Sequence, residues 1–436
     1  MKYIIIGGSA AAISAIEAIR SIDATSKIDL FSDESTPLFS RVLLPYYVAE
    51  ELSKQLLNFR PLTFFEDNNV NAHMGTRIVD VSADSKTVKT AEGVSYEFDR
   101  LLMATGGNAI VPPIPGIEME GVSTLKTMED AERVYSMKGK KAVVIGAGSI
   151  GVESCISLKR RGMEVTLIEQ LGRVLPTVFD DEASGIIQRR MEGLGIRVLT
   201  GERANKFIGN GHVAGVVADS GEIPCDMVVL AIGVKPSVEL ATKAGAEVGE
   251  LGGIKVDDRM MTTTHNIYAA GDVAETRDIA SGSMAVNAIW PCAMEQGKVA
   301  GLNMAGESTV YPGSLRTNSI GNFIGQPAIS IGMVNAPVEV AGAEAGESYQ
   351  EIKRRSKDTY RKLVLKGDRI VGAILVGDTQ KAGIMTLLIK KKIPLGEFVP
   401  VIMGSRLNFM DILPLMRRYG EKFSELEFKE LMDTGI

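Results

Sequence analysis

Two short glycine-rich turns carry the plainest chemistry in this chain of 436 residues. The first, Gly7-Gly8-Ser9-Ala10-Ala11-Ala12, follows the apolar run Tyr3-Ile4-Ile5-Ile6 and precedes a run of small and aliphatic residues over 13–19. The second, Gly146-Ala147-Gly148-Ser149-Ile150-Gly151, follows Ala142-Val143-Val144-Ile145. A buried strand, a tight small-residue turn and a helix start together point backbone N–H groups, and the positive end of the helix dipole, at a pyrophosphate. The second turn has all three glycines of Gly-x-Gly-x-x-Gly, whereas the first places Ser9 and Ala12 at the second and third positions. An acid about 20 residues further on, at the end of the next strand, grips a ribose through its hydroxyls. Glu169 falls 18 residues after Gly151 and fits. In the first copy Glu34 fits the spacing slightly better than Asp33, and a solvated acid at a strand end is the other reading. With Gln170 rather than an arginine after Glu169, a free 2′-hydroxyl is favoured, hence NADH over NADPH; Arg173 keeps the phosphorylated form open.

Other chemistries are poorly supported. Cys155, Cys225 and Cys292 are too far apart for a metal or cluster motif, and His73, His212 and His265 are scattered, so no metal is expected. A net charge of −6 gives no reason to invoke nucleic acid. The first strand starts near residue 3, leaving no expected room for a leader peptide, and no apolar run approaches the ~18–20 residues of a membrane span. A reduced, cytoplasmic setting is the expectation.

The elements that must hold these turns recur in order. A strand at 27–31 follows the first helix, and 37–47, including Arg41, is too punctuated for a strand and too apolar for a free loop. On such a segment Arg41 reaches towards a pyrophosphate. Short alternating strands over 77–100 suit a small antiparallel meander, which feeds a buried strand into Ala104-Thr105-Gly106. Val111-Pro112-Pro113-Ile114-Pro115-Gly116 reads as a linker. After the second turn a meander over 208–223 leads to a strand ending at Gly233. Turn, acid, meander and strand-into-glycine thus occur twice, with starts 139 residues apart, which implies two tandem dinucleotide folds. A further strand over 261–272 ends at Gly271-Asp272, and a helix of small residues runs through Gln296-Gly297. The last third reads as strand-rich, with helices around 382–392 and 424–432 and an apolar stripe (Phe409, Ile412, Leu413, Leu415, Met416) suited to subunit contact or to a core of its own. Residues 351–436 hold 17 basic and 11 acidic residues, net +6 against −12 for the rest, which suits either an acidic docking partner or merely solvated hairpins.

The expected fold is α/β: two tandem Rossmann-like domains with parallel sheets and antiparallel meanders, then a strand-rich α+β domain. The expected divisions are 1–110 with 248–315, 111–247, and 316–436.

Over roughly 1–305 these motifs resemble the FAD-dependent pyridine nucleotide–disulfide oxidoreductase superfamily. The C-terminal stretch YRKLVLKGDRIVGAILVGDT looks like the third domain of its NADH:rubredoxin reductase and nitrite reductase branch. The resemblance implies that Gly7, Ser9, Ala12 and Glu34 hold the ADP half of FAD and that Arg41 meets its phosphates. It implies Ala104, Thr105 and Gly106 at the FAD site, Asp272 after Gly271 on the ribitol or pyrophosphate side, and a helix near Gln296 aimed at the flavin pyrimidine. Gly146, Gly148, Gly151, Glu169 and Gly233 would serve NAD(H). Glu153 is placed near flavin and nicotinamide as the catalytic candidate, with local capping and packing as its plainer reading.

One departure is informative. Disulfide-reducing relatives carry Cys-x-x-x-x-Cys in the first FAD helix, and others a single cysteine just before a Leu-Pro-Tyr-Tyr segment. Here that segment is Leu44-Pro45-Tyr46-Tyr47, and Val42 stands where the cysteine would be. Hydride then passes from NADH to flavin N5 and electrons leave one at a time to rubredoxin, ferredoxin or an iron–sulfur subunit of a larger complex. The alternatives are an NADH oxidase that reduces oxygen or a small acceptor directly, and a non-catalytic redox-sensing flavoprotein. Homo- or hetero-oligomers are both compatible.

Overall fold

In a computed structural model of the chain, residues 1–321, 325–337, 348–357, 359–404 and 409–423 are described. They form two compact units, one of Met1–Val174, Met191–Asp278 and Ser283–Ser314, the other of Leu175–Arg190, Ile279–Gly282 and Leu315–Ile436.

The first unit contains two five-stranded sheets built alike. In the first, Lys2–Ile6 lies between Lys27–Ser32 and Arg100–Met103, flanked outside by Val70–Met74 and Ile267–Ala269, all parallel. Tyr3, Ile4 and Ile5 are at most 1% exposed, which accounts for a continuous apolar run in place of alternation. In the second sheet Lys141–Ile145 lies between Glu164–Glu169 and Met227–Leu230, with Ile196–Thr200 and Val122–Thr124 at the edges, again parallel. Each central strand runs directly into one of the glycine turns and each turn into a helix, Ala10–Ile22 and Ser149–Arg160. Both expected meanders are present, as Ile78–Ser82, Thr87–Thr90 and Ser95–Glu97, and as Ala204–Asn210, His212–Ala218 and Gly221–Pro224.

Two details differ from the sequence reading. The strand expected over 261–272 shrinks to Ile267–Ala269, because Met261 and Thr262 pair as isolated bridges and Asn266 takes φ +68°. The ambiguous stretch 37–47 forms a 3-10 turn, Arg41–Leu43, that continues into the helix Leu44–Val48.

The helix Trp290–Met304 lies against Ala10–Ile22 with almost no side-chain spacer. A Cβ on Gly297 would come within 2.1 Å of the Ala11 carbonyl oxygen, and one on Gly301 within 2.4 Å of that of Ala15. Small residues on both helices are therefore a steric requirement.

The second unit carries one antiparallel sheet in the order Thr317–Ile320, Ala328–Gly332, Arg369–Val376, Tyr360–Lys366, Tyr349–Arg355. Helices Ala382–Lys390, Val399–Met403 and Phe409–Arg418 accompany it. Ile412, Leu415 and Met416 pack with Leu363, Leu375 and Leu388, so this part of the apolar stripe belongs to the unit's own core. The helix expected over 424–432 lies outside the described residues.

Candidate functional site

The two turns match atom for atom at their first glycine. Gly7 has φ +119°, and a Cβ there would sit 2.1 Å from the Ala104 carbonyl oxygen; Gly146 has φ +97°, with the Ala231 carbonyl oxygen at 2.5 Å. Only glycine meets both demands. At the second position the backbone is extended in both copies, φ −109° at Ser9 and −69° at Gly148, so a side chain at position 9 costs no strain. That removes the apparent defect in the first turn. Neither helix start is capped by a side chain, which leaves the first N–H groups of both helices available to a phosphate. A Cβ on Gly148 would meet nothing within 4 Å, as expected where a ligand approaches, whereas one on Gly151 would meet the Gly146 carbonyl oxygen at 1.8 Å. In both places the residues fit a pyrophosphate.

Charged groups gather beside the first turn. Arg41 donates from Nη2 to Glu34 Oε1 at 2.6 Å and from Nη1 to the Lys126 carbonyl at 2.9 Å, and its guanidinium lies 5.2 Å from the Phe39 ring centroid. Asp272 is held above the usual carboxylate range by burial, which the nearby Lys126 and Arg41 only partly oppose. Burial likewise lowers Lys126, against the pull of Asp272. Lys126 and Asp272 are therefore poorly solvated, with the partly exposed Arg41 close enough for its charge to act on both.

Lys126 was not singled out from the sequence. It is presented by the box in which Thr127 Oγ1 accepts from Asp130 N while Asp130 Oδ2 accepts from Lys126 N and Thr127 N. That capping pattern was the one available signal.

Other expected residues act on the scaffold. Gln296 Oε1 accepts from Gly271 N at 2.8 Å, and Gln296 is 1% exposed, so it fixes the Gly271-Asp272 turn from behind. The helix that carries it begins at Trp290, with Ile289 as its cap residue and Pro291 in its first turn. Thr105 Oγ1 donates to the Ser237 carbonyl at 2.8 Å, and the Gly106 carbonyl accepts from Ser237 N. The Gly233 carbonyl accepts from Ile110 N. In the turn from 104 to 106, Ala104 backs Gly7, as Ala231 backs Gly146. Ala12, at the place of Gly151, is wholly buried in the first helix.

Glu169 is 8% exposed, with Oε2 accepting from Ala147 N and Oε1 from Leu171 N, both at 2.7 Å. Each oxygen keeps acceptor capacity for a hydroxyl, and the first bond ties the acid directly to the glycine turn.

Glu153 sits one turn into the second cradle's helix. Burial pushes its carboxyl up to about 7. The phenol of Tyr46 is raised by its own burial and next by the nearby charge of Glu153. Ser157 Oγ lies 2.7 Å from the Pro45 carbonyl oxygen and 2.8 Å from that of Glu153, so its one hydroxyl hydrogen, shared between them, links the 44–48 helix to the 149–160 helix. Val42 is 50% exposed. All three cysteines are buried; burial raises the Cys155 thiol and pushes that of Cys225 up to about 12. Among the described residues no cluster of His, Cys, Asp and Glu is arranged to hold a metal, and no helix is long and apolar enough to cross a membrane.

Comparison with known proteins bears on the family. Residues 1–297 match the family described as pyridine nucleotide-disulphide oxidoreductase, and 320–393 match the rubredoxin NAD+ reductase C-terminal domain. The chain is 32% identical over 397 residues to the NADH-dependent phenylglyoxylate dehydrogenase subunit epsilon of Aromatoleum evansii, covering 90% of this chain and 92% of that one. It is 30% identical over 417 residues to an NADH oxidase of Methanocaldococcus jannaschii, covering 91% and 93%. Among solved structures, an NAD-dependent persulfide reductase from A. fulgidus superposes with a TM-score of 0.85 at 32% identity, over 96% of this chain and 84% of that one. The chain therefore belongs to the pyridine nucleotide–disulphide oxidoreductase family, whose cofactors are FAD and NAD(H).

Proposed function

We propose that this enzyme transfers electrons between NAD(H) and a one-electron redox protein without a redox cysteine. The acceptor class is a rubredoxin, a ferredoxin or an iron–sulfur subunit of a larger complex. The reading rests on one observation above all: two intact dinucleotide cradles occur with a valine at 42, half exposed, and every thiol buried. FAD, when bound, supplies hydride acceptance from NADH and release of electrons singly.

The chain's own residues do the rest. Gly7, Ser9, Ala12 and the open helix start receive one pyrophosphate, with Glu34 for a ribose and Arg41 and Lys126 as counter-charges. Gln296 holds Gly271 and Asp272 in register, and Ala104, Thr105 and Gly106 close the wall opposite. Gly146, Gly148, Gly151 and Gly233 line the second cradle, and Glu169 discriminates the free 2′-hydroxyl. Glu153, raised to about 7, holds or gives a proton near neutral pH and is the catalytic candidate. On this reading residues 1–110 with 248–315 serve FAD, 111–247 serve NAD(H), and 316–436 serve docking, and the enzyme works in the cytoplasm.

The complex-subunit form draws support from the phenylglyoxylate dehydrogenase relative, and the rubredoxin form from the C-terminal family match. The NADH oxidase relative supports direct reduction of oxygen as a second reading. Anaerobic mixing tests both. The flavin band should bleach with NADH faster than with NADPH, and bound electrons should pass to rubredoxin faster than to oxygen. Cys292→Ser should leave that turnover within about twofold, since a packing thiol contributes no chemistry. A collapse on that substitution, or oxygen as the faster acceptor, overturns the leading form.

A further inference from the structure

The crossover that follows Glu169 is built largely in the second unit. The chain leaves the first unit at Leu175, enters the helix Asp181–Gly193, and returns to the first unit at Met191 before the strand Ile196–Thr200. Asp180 starts that helix. Its Oδ1 accepts from Ala183 N at 3.0 Å and its carbonyl from Ser184 N at 2.9 Å, which is the geometry of a helix N-cap.

The other carboxylate oxygen belongs to the C-terminal sheet. Asp180 Oδ2 accepts from Tyr360 Oη at 2.6 Å and lies 3.3 Å from Lys362 Nζ. Lys362 gives its other N–H groups to Glu351 Oε1 at 2.8 Å and to Asn335 Oδ1 at 3.3 Å. Tyr360 and Lys362 are 1% exposed and Asp180 is 5% exposed. Burial, and then the bond to Asp180, raise the Tyr360 phenol, so it stays a donor. All five residues lie in the second unit.

A lysine inside a strand buried on both faces is unfavourable on its own. An apolar side chain often serves stability as well as a buried ion pair does, and the best attested use of such a pair is to fix register. Here the pair fixes the cap of the crossover helix. The chain just before the cap is under strain: Leu175, wholly buried, has φ +50°, a left-handed conformation that a leucine keeps only where its surroundings enforce it. The Leu175 carbonyl accepts from Val178 N and Phe179 N, which folds the chain tightly up to Asp180. On the cradle side, Leu171 N donates to Glu169 Oε1 and the Leu171 carbonyl accepts from Gly201 N. Residues 171–180 are thus fastened at one end to Glu169 and at the other to the C-terminal sheet.

We infer that Asp180, Tyr360 and Lys362 are positioning residues for NAD(H). By gripping the crossover helix at its cap, the C-terminal sheet holds residues 171–180, and with them Glu169, in the conformation that takes a ribose and rejects a 2′-phosphate. The inference rests on the second cradle being the NAD(H) site. It gives the C-terminal unit a part in nucleotide selection, in addition to the docking proposed above.

Calorimetric titration of the FAD-loaded protein with NAD+ and with NADP+ tests it. Tyr360→Phe keeps the ring and removes the hydroxyl; it should weaken NAD+ binding at least about fivefold and lower the preference for NAD+ over NADP+ at least about threefold. Flavin absorbance and the NADH-to-ferricyanide kcat should stay within about twofold, a split that marks lost binding and not lost chemistry. General loosening of the fold would lower Tm and leave the preference where it was. Arg355→Gln breaks an exposed 3.7 Å pair to Glu182 on the same helix and should leave both affinities as in wild type. Unchanged NAD+ affinity or unchanged preference in Y360F overturns the inference, and so does an equal effect of R355Q. Gly151→Ala separates the two readings. If it leaves NAD+ affinity unchanged, the second cradle is not the NAD(H) site and the inference falls with it; weakening by G151A without any by Y360F refutes the grip alone.

Discussion

Replacing Glu153 with glutamine tests the electrostatics of the site in a way that activity alone does not. The carboxyl stands at about 7 in the folded protein because burial disfavours its anion. In the unfolded chain it titrates near the ordinary glutamate value of about 4.3. Between those two pH values the folded state binds the extra proton, so stability falls as pH rises. The full contribution is present below the unfolded value and is gone above the folded one. Every tenfold gain in proton affinity on folding is worth about 1.4 kcal/mol, so the loss across the whole window is about 4 kcal/mol, an upper figure because the side chain keeps some contact with solvent. Glutamine does not titrate. The expected result is a double difference: urea unfolding of flavin-stripped wild type and E153Q at pH 5 and pH 8 should show wild type losing about 2–3 kcal/mol more than the variant on going to pH 8. Other titrating groups cancel because they are common to both proteins. In the holoenzyme, the limb of the kcat/KM profile near pH 7 should vanish in the same variant. Equal pH dependence of unfolding in the two proteins would refute the claim that burial tunes this carboxyl.

Three further outcomes follow from the same geometry. Gly151→Ala places a Cβ about 1.8 Å from the Gly146 carbonyl oxygen, so KM for NADH should rise at least about tenfold while flavin content, read by absorbance, stays normal. Gln296→Leu leaves the buried Gly271 N–H without its acceptor; a loss of about 1–3 kcal/mol should appear as a lowered Tm and poorer FAD retention. Lys126→Met removes the cation that, with Arg41, acts on Asp272; FAD affinity, measured by fluorescence on titration, should fall about tenfold or more, with KM for NADH little changed.

Much of this was legible because the signals were local and occurred twice. Apolar runs of four or five residues ending in glycine predict buried parallel strands, and their repetition 139 residues apart predicts a second copy of the same fold. The conformation of the first turn was less legible. Sequence shows Ser9 where a glycine is expected, and only the backbone angles show that nothing is lost there, since the strained position is Gly7. Lys126 escaped because its importance comes from distant residues, Arg41 and Asp272, that no spacing rule connects to it. The Ser157–Pro45 bond escaped for the same reason, as its partners are 112 residues apart. The apolar stripe near the C-terminus had the right pattern, but whether it meets its own sheet or another subunit is decided by tertiary packing, which here engages Ile412, Leu415 and Met416.

The glycine-to-backbone seam between the first helix and the 290–304 helix bears on how the protein comes into being. Ser14 Oγ bonds to the Met294 carbonyl across 280 residues of chain. The first cradle to leave the ribosome thus lacks the helix that braces it until most of the chain has been made. Contacts of such long range carry a large loop-closure cost and form late. Nascent chains shorter than about 300 residues should therefore expose the small-residue face of the opening helix, depend on chaperones, and acquire flavin only after synthesis has passed the second helix.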